Sequence, residues 1–167
     1  MPFLTCATER LSMRPLTTTD AEFIFELVNT DGWLRFIGNR NISSATDAVA
    51  YIERILGNKN ITYWVAELKD DQRSIGIVTY IKRDYLEHHD IGFAFLPAFS
   101  KKGYAYEATS AVLDKLVKEQ SLRHILATTI PANTNSIRLL NRMGLVFEKE
   151  IKVENDILHV YGREFPG

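Results

Sequence analysis

The sequence predicts a mixed α/β domain in which helices cover a single β-sheet. Segments rich in β-branched and aromatic residues are interleaved with segments whose apolar residues recur every three or four positions, the spacing of an amphipathic helix. Glycine or proline stands at the end of several of these segments. The resulting order β-α-α-β-β-β-α-β-α-β-β is typical of a layered α/β fold. No repeat or linker interrupts the chain, so we expect residues 1–167 to form one domain.

The predicted elements divide the chain almost evenly between strands and helices. We expect strands at 10–14, 62–68, 74–81, 90–96, 123–130, 145–151 and 157–163, and helices at 17–29, from 43 or 44 to 57, at 103–120 and at 135–143. The loop at 31–38 carries Trp33 and Phe36 between glycines. These two aromatic rings either pin the loop to the core or line a substrate pocket.

Composition and charge exclude several classes of protein. The 46% hydrophobic and 25% charged residues are average for a globular domain and argue against a disordered chain. The net charge of -1 provides no basic field to attract nucleic acid. No apolar stretch approaches the roughly 20 residues that cross a membrane. With one cysteine, Cys6, and no recognisable export signal, we expect a cytoplasmic protein that needs neither a disulfide nor a metal ion.

The strand at 90–96 has one unusually bare face. Because side chains alternate along a strand, Asp90, Gly92, Ala94 and Leu96 share a face. Small residues beside a carboxylate suggest that a ligand fills the space above this face. Gly92 could instead mark a bulge or a close contact with a helix.

Two further segments suggest ligand contacts at the carboxyl ends of strands. Gly103 precedes the long helix, where unpaired backbone N–H groups together with Lys101 and Lys102 could hold a phosphate, although such a sequence also occurs in plain surface turns. Asn133 and Ser136 follow the buried strand and offer an amide and a hydroxyl. Alternatively, Asn133 or Asn135 simply caps the following helix.

Taken together, these segments resemble the GCN5-related N-acetyltransferase superfamily, in particular its RimJ/RimL-type branch of ribosomal-protein N-terminal acetyltransferases. The similarity runs from about Thr8 to Phe147. The matching motifs are 8–16 with Thr17 and Asp20, the strand 90–93 with the loop 102–108, and Asn133 and Ser136 with Gly144-Leu145. The resemblance implies a mostly antiparallel sheet with a central pair of parallel strands, 90–96 and 123–130, that splay apart, and helices on both faces.

The resemblance also assigns residues to acetyl-coenzyme A, which would act as a co-substrate in the gap between the splayed strands. The backbone near Phe95 and Leu96 would hold the pantetheine arm, and the amides of the loop would hold the pyrophosphate. The implied cofactor-binding residues are Phe95, Leu96, Lys101, Lys102, Gly103, Tyr104, Ala105, Asn133, Ser136, Arg138 and Arg142. No metal ion is implied.

The resemblance places Asp90 where related enzymes carry a base, which takes a proton from the acceptor ammonium. His88 and His89 are the second candidates for that role, and they are expected, with Trp33 and Phe36, near the acceptor. Many superfamily members carry a tyrosine seven residues after the asparagine, but this chain has Leu140. In the RimJ/RimL branch the serine of an Asn-x-x-Ser motif is the proposed proton donor or hydrogen-bond partner of the leaving thiolate, so the resemblance implies Ser136 for this role. Glu107, inside the long helix, is expected to have a structural role.

The implied reaction is direct transfer of acetyl to a primary amine in a ternary complex, with Cys6 taking no part. The peptide α-amine is the favoured acceptor, because the 31–42 loop has one Asp against Arg35 and Arg40 and offers no strongly acidic pocket for a polyamine. Alternatives are a small amine acceptor, such as a polyamine, amino acid or antibiotic, and a non-catalytic acyl-coenzyme A sensor. A phosphate-binding regulator would leave the bare strand face unexplained. Either a monomer or a homodimer is compatible with this sequence.

Overall fold

A computed structural model of the protein describes residues 5–167. The strands are β1 Cys6–Ala7, β2 Leu11–Pro15, β3 Ile61–Leu68, β4 Ser74–Ile81, β5 Asp90–Phe95, β6 His124–Thr129, β7 Val146–Val153 and β8 Asp156–Glu164. The α-helices are α1 Ala21–Val28, α2 Asp31–Phe36, α3 Ala45–Leu56, α4 Tyr104–Gln120 and α5 Thr134–Arg142. Short 3-10 turns occupy Thr18–Asp20 and Pro97–Phe99. Within 5–167, no helix combines the length and apolar content needed to cross a membrane.

The eight described strands form one sheet in the order β1-β2-β3-β4-β5-β6-β8-β7. Every neighbouring pair is antiparallel except β5 and β6, which are parallel. These two strands share a single register pair, Asp90 with Leu126, beside a hydrogen bond from Leu126 N to His89 O of 3.0 Å. Beyond this point they part. The mixed sheet with a splayed central pair is therefore confirmed.

Two apolar layers lie on opposite faces of the sheet because side chains alternate along each strand. On one face, α4 and α5 pack against Val78, Ile91 and neighbouring residues. On the other, α1, α2 and α3 pack against Ile77 and Leu96. Helices thus cover both faces, as expected.

The segment predicted as a loop at 31–38 contains the short helix α2 instead. The Thr30 hydroxyl caps it by accepting a hydrogen bond from Trp33 N at 3.3 Å, and Asp31 lies in its first turn, where a carboxylate is favourable. The ring of Trp33 is 5% exposed and joins the core. A threonine followed by an aspartate was therefore a helix signal that the glycines obscured.

The predicted helix at 17–29 begins with a 3-10 turn, and α1 proper starts at Ala21. The Asp20 carboxylate explains this start, since it accepts hydrogen bonds from Thr17 N at 2.9 Å and from Arg14 Nη2 at 2.6 Å. The predicted strand at 10–14 corresponds to β2, which pairs with an additional strand, β1. The two residues of β1 are too few to produce an alternation in the sequence.

A pair of glycine substitutions tests the packing of β5 on β4. A Cβ at Gly76 would lie 2.3 Å from a ring carbon of Phe95, whereas a Cβ at Gly32 would meet nothing within 4 Å. We expect Gly76→Ala to lower the free energy of unfolding by about 1–3 kcal/mol because the Phe95 ring must move. Gly32→Ala should be neutral or stabilising, because alanine favours a helix. If the Gly76→Ala and Gly32→Ala variants unfold at the same urea concentration, the close contact between Gly76 and the Phe95 ring is contradicted.

Candidate active site

The parting of β5 and β6 coincides with a cleft that has two connected parts. The loop part, of about 480 Å³, is lined by the segment before α4, the start of that helix and α5. The hairpin part, of about 300 Å³, is lined by the β7–β8 turn, Arg83 and Tyr85. The residues that line both parts, here called the junction, are Trp33, Phe36, Ile37, Phe93, Ala94, Asn133 and Ser136.

The loop part ends at the positively polarised start of α4. Lys101 and Gly103 both have positive φ, 59° and 84°, which turns the chain sharply into the helix. The first N–H groups of a helix have no partner within it, so those of Tyr104 and Ala105 are available to an anion. Lys101, Gly103, Tyr104 and Ala105 all line this part, as expected. Lys102 does not.

Glu107 holds the loop before α4 in place through hydrogen bonds, which confirms the structural role expected of this residue. Its carboxylate accepts hydrogen bonds from the Thr8 hydroxyl and from Arg10 N and Nε, the last at 2.7 Å. Burial raises the pKa of Glu107, but these hydrogen bonds outweigh it and hold the pKa below its ordinary value. The same Arg10 guanidinium lies 4.2 Å from the centre of the Tyr104 ring. The loop is therefore tied to the start of β2.

The asparagine and serine that follow β6 both reach the junction. Asn133 Oδ1 caps α5 by accepting a hydrogen bond from Ser136 N at 3.3 Å, so the capping alternative is correct for Asn133. Its side-chain N–H₂ group has no partner among the described residues, and Ser136 lies one turn further on. Arg138 and Arg142 line the loop part, with Arg142 stacked 4.0 Å from the centre of the Tyr106 ring.

The backbone N–H and C=O groups of Phe95 and the backbone N–H of Leu96 face opposite edges of the sheet. Leu96 N donates to Ile75 O of the neighbouring chain segment at 2.8 Å, whereas His89 O faces β6. Since backbone groups alternate edges along a strand, Phe93 and Phe95 turn their N–H and C=O groups to the splayed edge. The Leu96 amide does not face the gap, and its side chain is 4% exposed in the core. Of the expected pair, only Phe95 is placed to contact a ligand there.

Asp90 lies buried at the start of β5, with 2% of its surface exposed. Its Oδ2 accepts a hydrogen bond from Arg83 Nε at 2.5 Å. Burial raises the pKa of Asp90 above its ordinary value, although the charge and hydrogen bond of Arg83 act in the opposite direction. Arg83 lines the hairpin part, but Asp90 is not among the lining residues.

The two histidines expected near the acceptor lie elsewhere. His88 stacks on His124 with ring centres 4.3 Å apart, and His89 stacks on Tyr80 at 4.3 Å. Burial lowers the pKa of His89, as does the charge of Lys82. Neither histidine lines the cleft. Trp33 and Phe36, by contrast, stand at the junction.

Several residues of the hairpin part were not found from the sequence. Tyr63 lines it, and its hydroxyl is 3.1 Å from that of Tyr51. Thr79 lines it as well, and so does Arg40, which was expected only to make the 31–42 loop less acidic. They come from separate strands and loops, so no local spacing in the sequence connects them.

Comparison with known proteins decides the family. A family model described as an acetyltransferase (GNAT) domain matches residues 10–146. The chain belongs to the GNAT acetyltransferase family. It is accordingly an acyltransferase, and the GNAT family uses acetyl-coenzyme A.

Relatives and solved structures agree with this GNAT assignment. The chain is 30% identical over 149 residues to the uncharacterized N-acetyltransferase YoaA of Bacillus subtilis, covering 86% of this chain and 82% of that protein. A GNAT-family acetyltransferase structure from Bacillus anthracis aligns with a TM-score of 0.81 and 25% identity, over 96% and 98% of the two chains. The ribosomal-protein-S5-alanine acetyltransferase of Vibrio fischeri has the same fold, with a TM-score of 0.80 and 21% identity over 97% of each chain.

The glycine before α4 allows a matched test of the anion site. Gly103→Ala would strain a positive φ and bring a Cβ within 3.3 Å of Arg10 Nη2. We expect affinity for coenzyme A to fall about tenfold, because the backbone N–H groups at the start of α4 would no longer point at the same phosphate. Gly144→Ala strains a similar φ of 87° away from the cleft and serves as the control. Titration calorimetry that finds the same affinity for both variants would contradict the assignment of this loop.

Proposed function

We propose that this GNAT protein transfers the acetyl group of acetyl-coenzyme A to the α-amine at a peptide or protein N-terminus, as in the RimJ/RimL-type branch. The continuity of the cleft carries this proposal. Its loop part suits an extended anionic donor, and its hairpin part gives a second molecule access to the same junction. Two substrates can thus meet in one ternary complex without a covalent enzyme intermediate.

The residues present fit acetyl-coenzyme A as the donor. The backbone of Phe93 and Phe95 offers a free strand edge to the amides of the pantetheine arm. Lys101 and the N-terminus of α4 would hold the pyrophosphate, and Arg138 and Arg142 line the same part of the cleft. An apolar surface from Phe95, Phe99 and Tyr104 completes the wall. Cys6 offers no competing nucleophile, since it is buried in the core and burial raises the pKa of its thiol.

Transfer requires a proton to leave the acceptor and another to reach the sulfur. The acceptor ammonium gives up one proton, the free amine forms the C–N bond to the acetyl carbon, and the C–S bond breaks. The nitrogen then loses a second proton, which replaces the one that Ser136 gives to the thiolate. Asp90 is the proposed base, because it is the carboxylate on the β5 face that leads to the junction. Ser136, at the junction, is the proposed donor to the thiolate. A thiol with a pKa near 8.5 needs little help to leave, so Ser136 contributes less than Asp90.

The Arg40 side of the hairpin part is the basis for preferring a neutral or acidic peptide as the acceptor. Arg40 is exposed there and has no carboxylate partner among residues 5–167. Its guanidinium lies 5.8 Å from the centre of the Trp33 ring. Glu154, in the β7–β8 turn, and Asp156, the first residue of β8, also line this part. A peptide backbone and an acidic side chain would be complementary to the Arg40 side.

The function is tested by release of free thiol from acetyl-coenzyme A in the presence of different acceptors. The panel comprises N-terminal peptides with acidic, neutral or basic second residues, polyamines, amino acids and aminoglycosides, each corrected for hydrolysis without acceptor. We expect turnover with peptides, fastest with the acidic ones. Turnover confined to polyamines or aminoglycosides would replace the peptide by a small amine. Tight cofactor binding without turnover on any acceptor would favour a sensor.

Removal of the proposed base tests the chemistry directly. Asp90→Asn keeps an acceptor for Arg83 but cannot take a proton, so kcat should fall about 10²–10⁴-fold with unchanged affinity for acetyl-coenzyme A. Ser136→Ala should lower kcat by less. In the wild type, kcat should fall on the acidic side with an apparent pKa above the ordinary aspartate value of about 3.9, because protonated Asp90 is inactive. Turnover of Asp90→Asn equal to wild type would remove Asp90 as the base.

A further inference from the structure

The hydroxyl of Thr79 is a buried polar group that faces the cleft without a partner. Thr79 is 8% exposed, and it lines the hairpin part. Its Oγ1 lies 2.6 Å from the position that a Cβ on Gly92 would occupy. No hydrogen bond joins this hydroxyl to any described residue. The bare strand face at Gly92 therefore makes room for the Thr79 hydroxyl.

Thr79 stands next to the place where the two parts of the cleft meet. It pairs with Gly92 across β4 and β5, and Ala94, the next residue on that face, belongs to the junction. Gly92 itself lines only the hairpin part. The Thr79 hydroxyl therefore lies in the hairpin part, one position along the face from the junction.

The same register places Thr79 diagonally across from Asp90. Ile81 pairs with Asp90 and Thr79 with Gly92, so all four positions point to one face. Diagonal neighbours in a sheet are about 7–8 Å apart, a separation that two polar side chains and one water can span. The neighbours of Thr79 on this face of β4 are Ile77 and Ile81, which cannot carry a proton. Thr79 is thus the polar side chain of β4 on this face, between the junction and the buried carboxylate.

A second threonine near the junction is less suitable. Thr129 lines the hairpin part, but its hydroxyl already donates to Ile130 O at 3.2 Å. Arg83 also lies between the cleft and Asp90, but a guanidinium stays protonated and cannot relay a proton. The free hydroxyl of Thr79 both donates and accepts.

We propose that the Thr79 hydroxyl relays the acceptor's proton to Asp90, a role that rests on the proposed N-acetyltransferase function. The hydroxyl oxygen accepts a proton from the acceptor ammonium. Its own proton passes through one water to the Asp90 carboxylate. The ammonium becomes a free amine, Asp90 becomes a carboxylic acid, and Thr79 returns unchanged. The buried base thereby acts on a substrate that it does not touch.

Thr79→Val removes the hydroxyl and keeps the shape, and Thr79→Ser restores the hydroxyl. With acetyl-coenzyme A and the best peptide acceptor, we expect Thr79→Val to lower kcat at least tenfold while KM for acetyl-coenzyme A changes less than twofold. Thr79→Ser should recover turnover to within about threefold of wild type. Thr109→Val is the control, because Thr109 is also a buried threonine with an unpaired hydroxyl but lies in α4 away from the cleft. It should leave kcat unchanged.

The combination of Thr79→Val with Asp90→Asn distinguishes a relay from a packing effect. If the two groups act on one proton, the double variant should be no slower than Asp90→Asn alone. Multiplied losses, or a Thr79→Val enzyme as fast as wild type, would overturn the relay and leave the transferase function standing. If wild-type protein releases no thiol with any acceptor, the relay falls together with the proposed function.

Discussion

The separation of β5 from β6 after one register pair is the constraint on which the cleft depends. Neighbouring strands normally continue their hydrogen bonds, since a buried backbone group without a partner costs about 1–3 kcal/mol. Here β5 keeps its full antiparallel register with β4, but its other edge is left open beyond Asp90. The Asn133 cap and the first turn of α5 occupy the far side of the gap. Unpaired backbone on one side and a capped helix on the other create a binding site from the main chain.

The two parts of this cleft are held by different interactions. The loop part depends on the network of Thr8, Arg10 and Glu107, which connects the first strands to the start of α4 across most of the sequence. The hairpin part depends on the Arg83–Asp90 ion pair, in which a buried carboxylate keeps a guanidinium at the wall. Asn is the informative replacement for Asp90 because its amide oxygen can still accept the Arg83 hydrogen bond, whereas Ala would leave the guanidinium with neither a charge partner nor an acceptor.

Much of the fold could be predicted from the sequence, because periodicity and capping residues reflect local physics. The strand Ser74–Ile81 has the predicted bounds, and α3 begins after Ser44 and ends at Gly57. Helix α2 was missed because a six-residue helix with a glycine has too few positions to show a period. In the site, the residues of the Gly103 loop and Asn133 were found, since they belong to continuous motifs. Thr79 and Tyr63 were not, because strand pairing brings them to the cleft.

The most direct test of this account is a crystal structure of the protein with coenzyme A. We expect the pantetheine amides to bond to the backbone of Phe93 and Phe95 in the gap between β5 and β6. We also expect the pyrophosphate to bind the amides before and at the start of α4, with the sulfur at the junction beside Asn133 and Ser136. Coenzyme A bound outside this gap, or β5 and β6 closed upon each other in the complex, would contradict it.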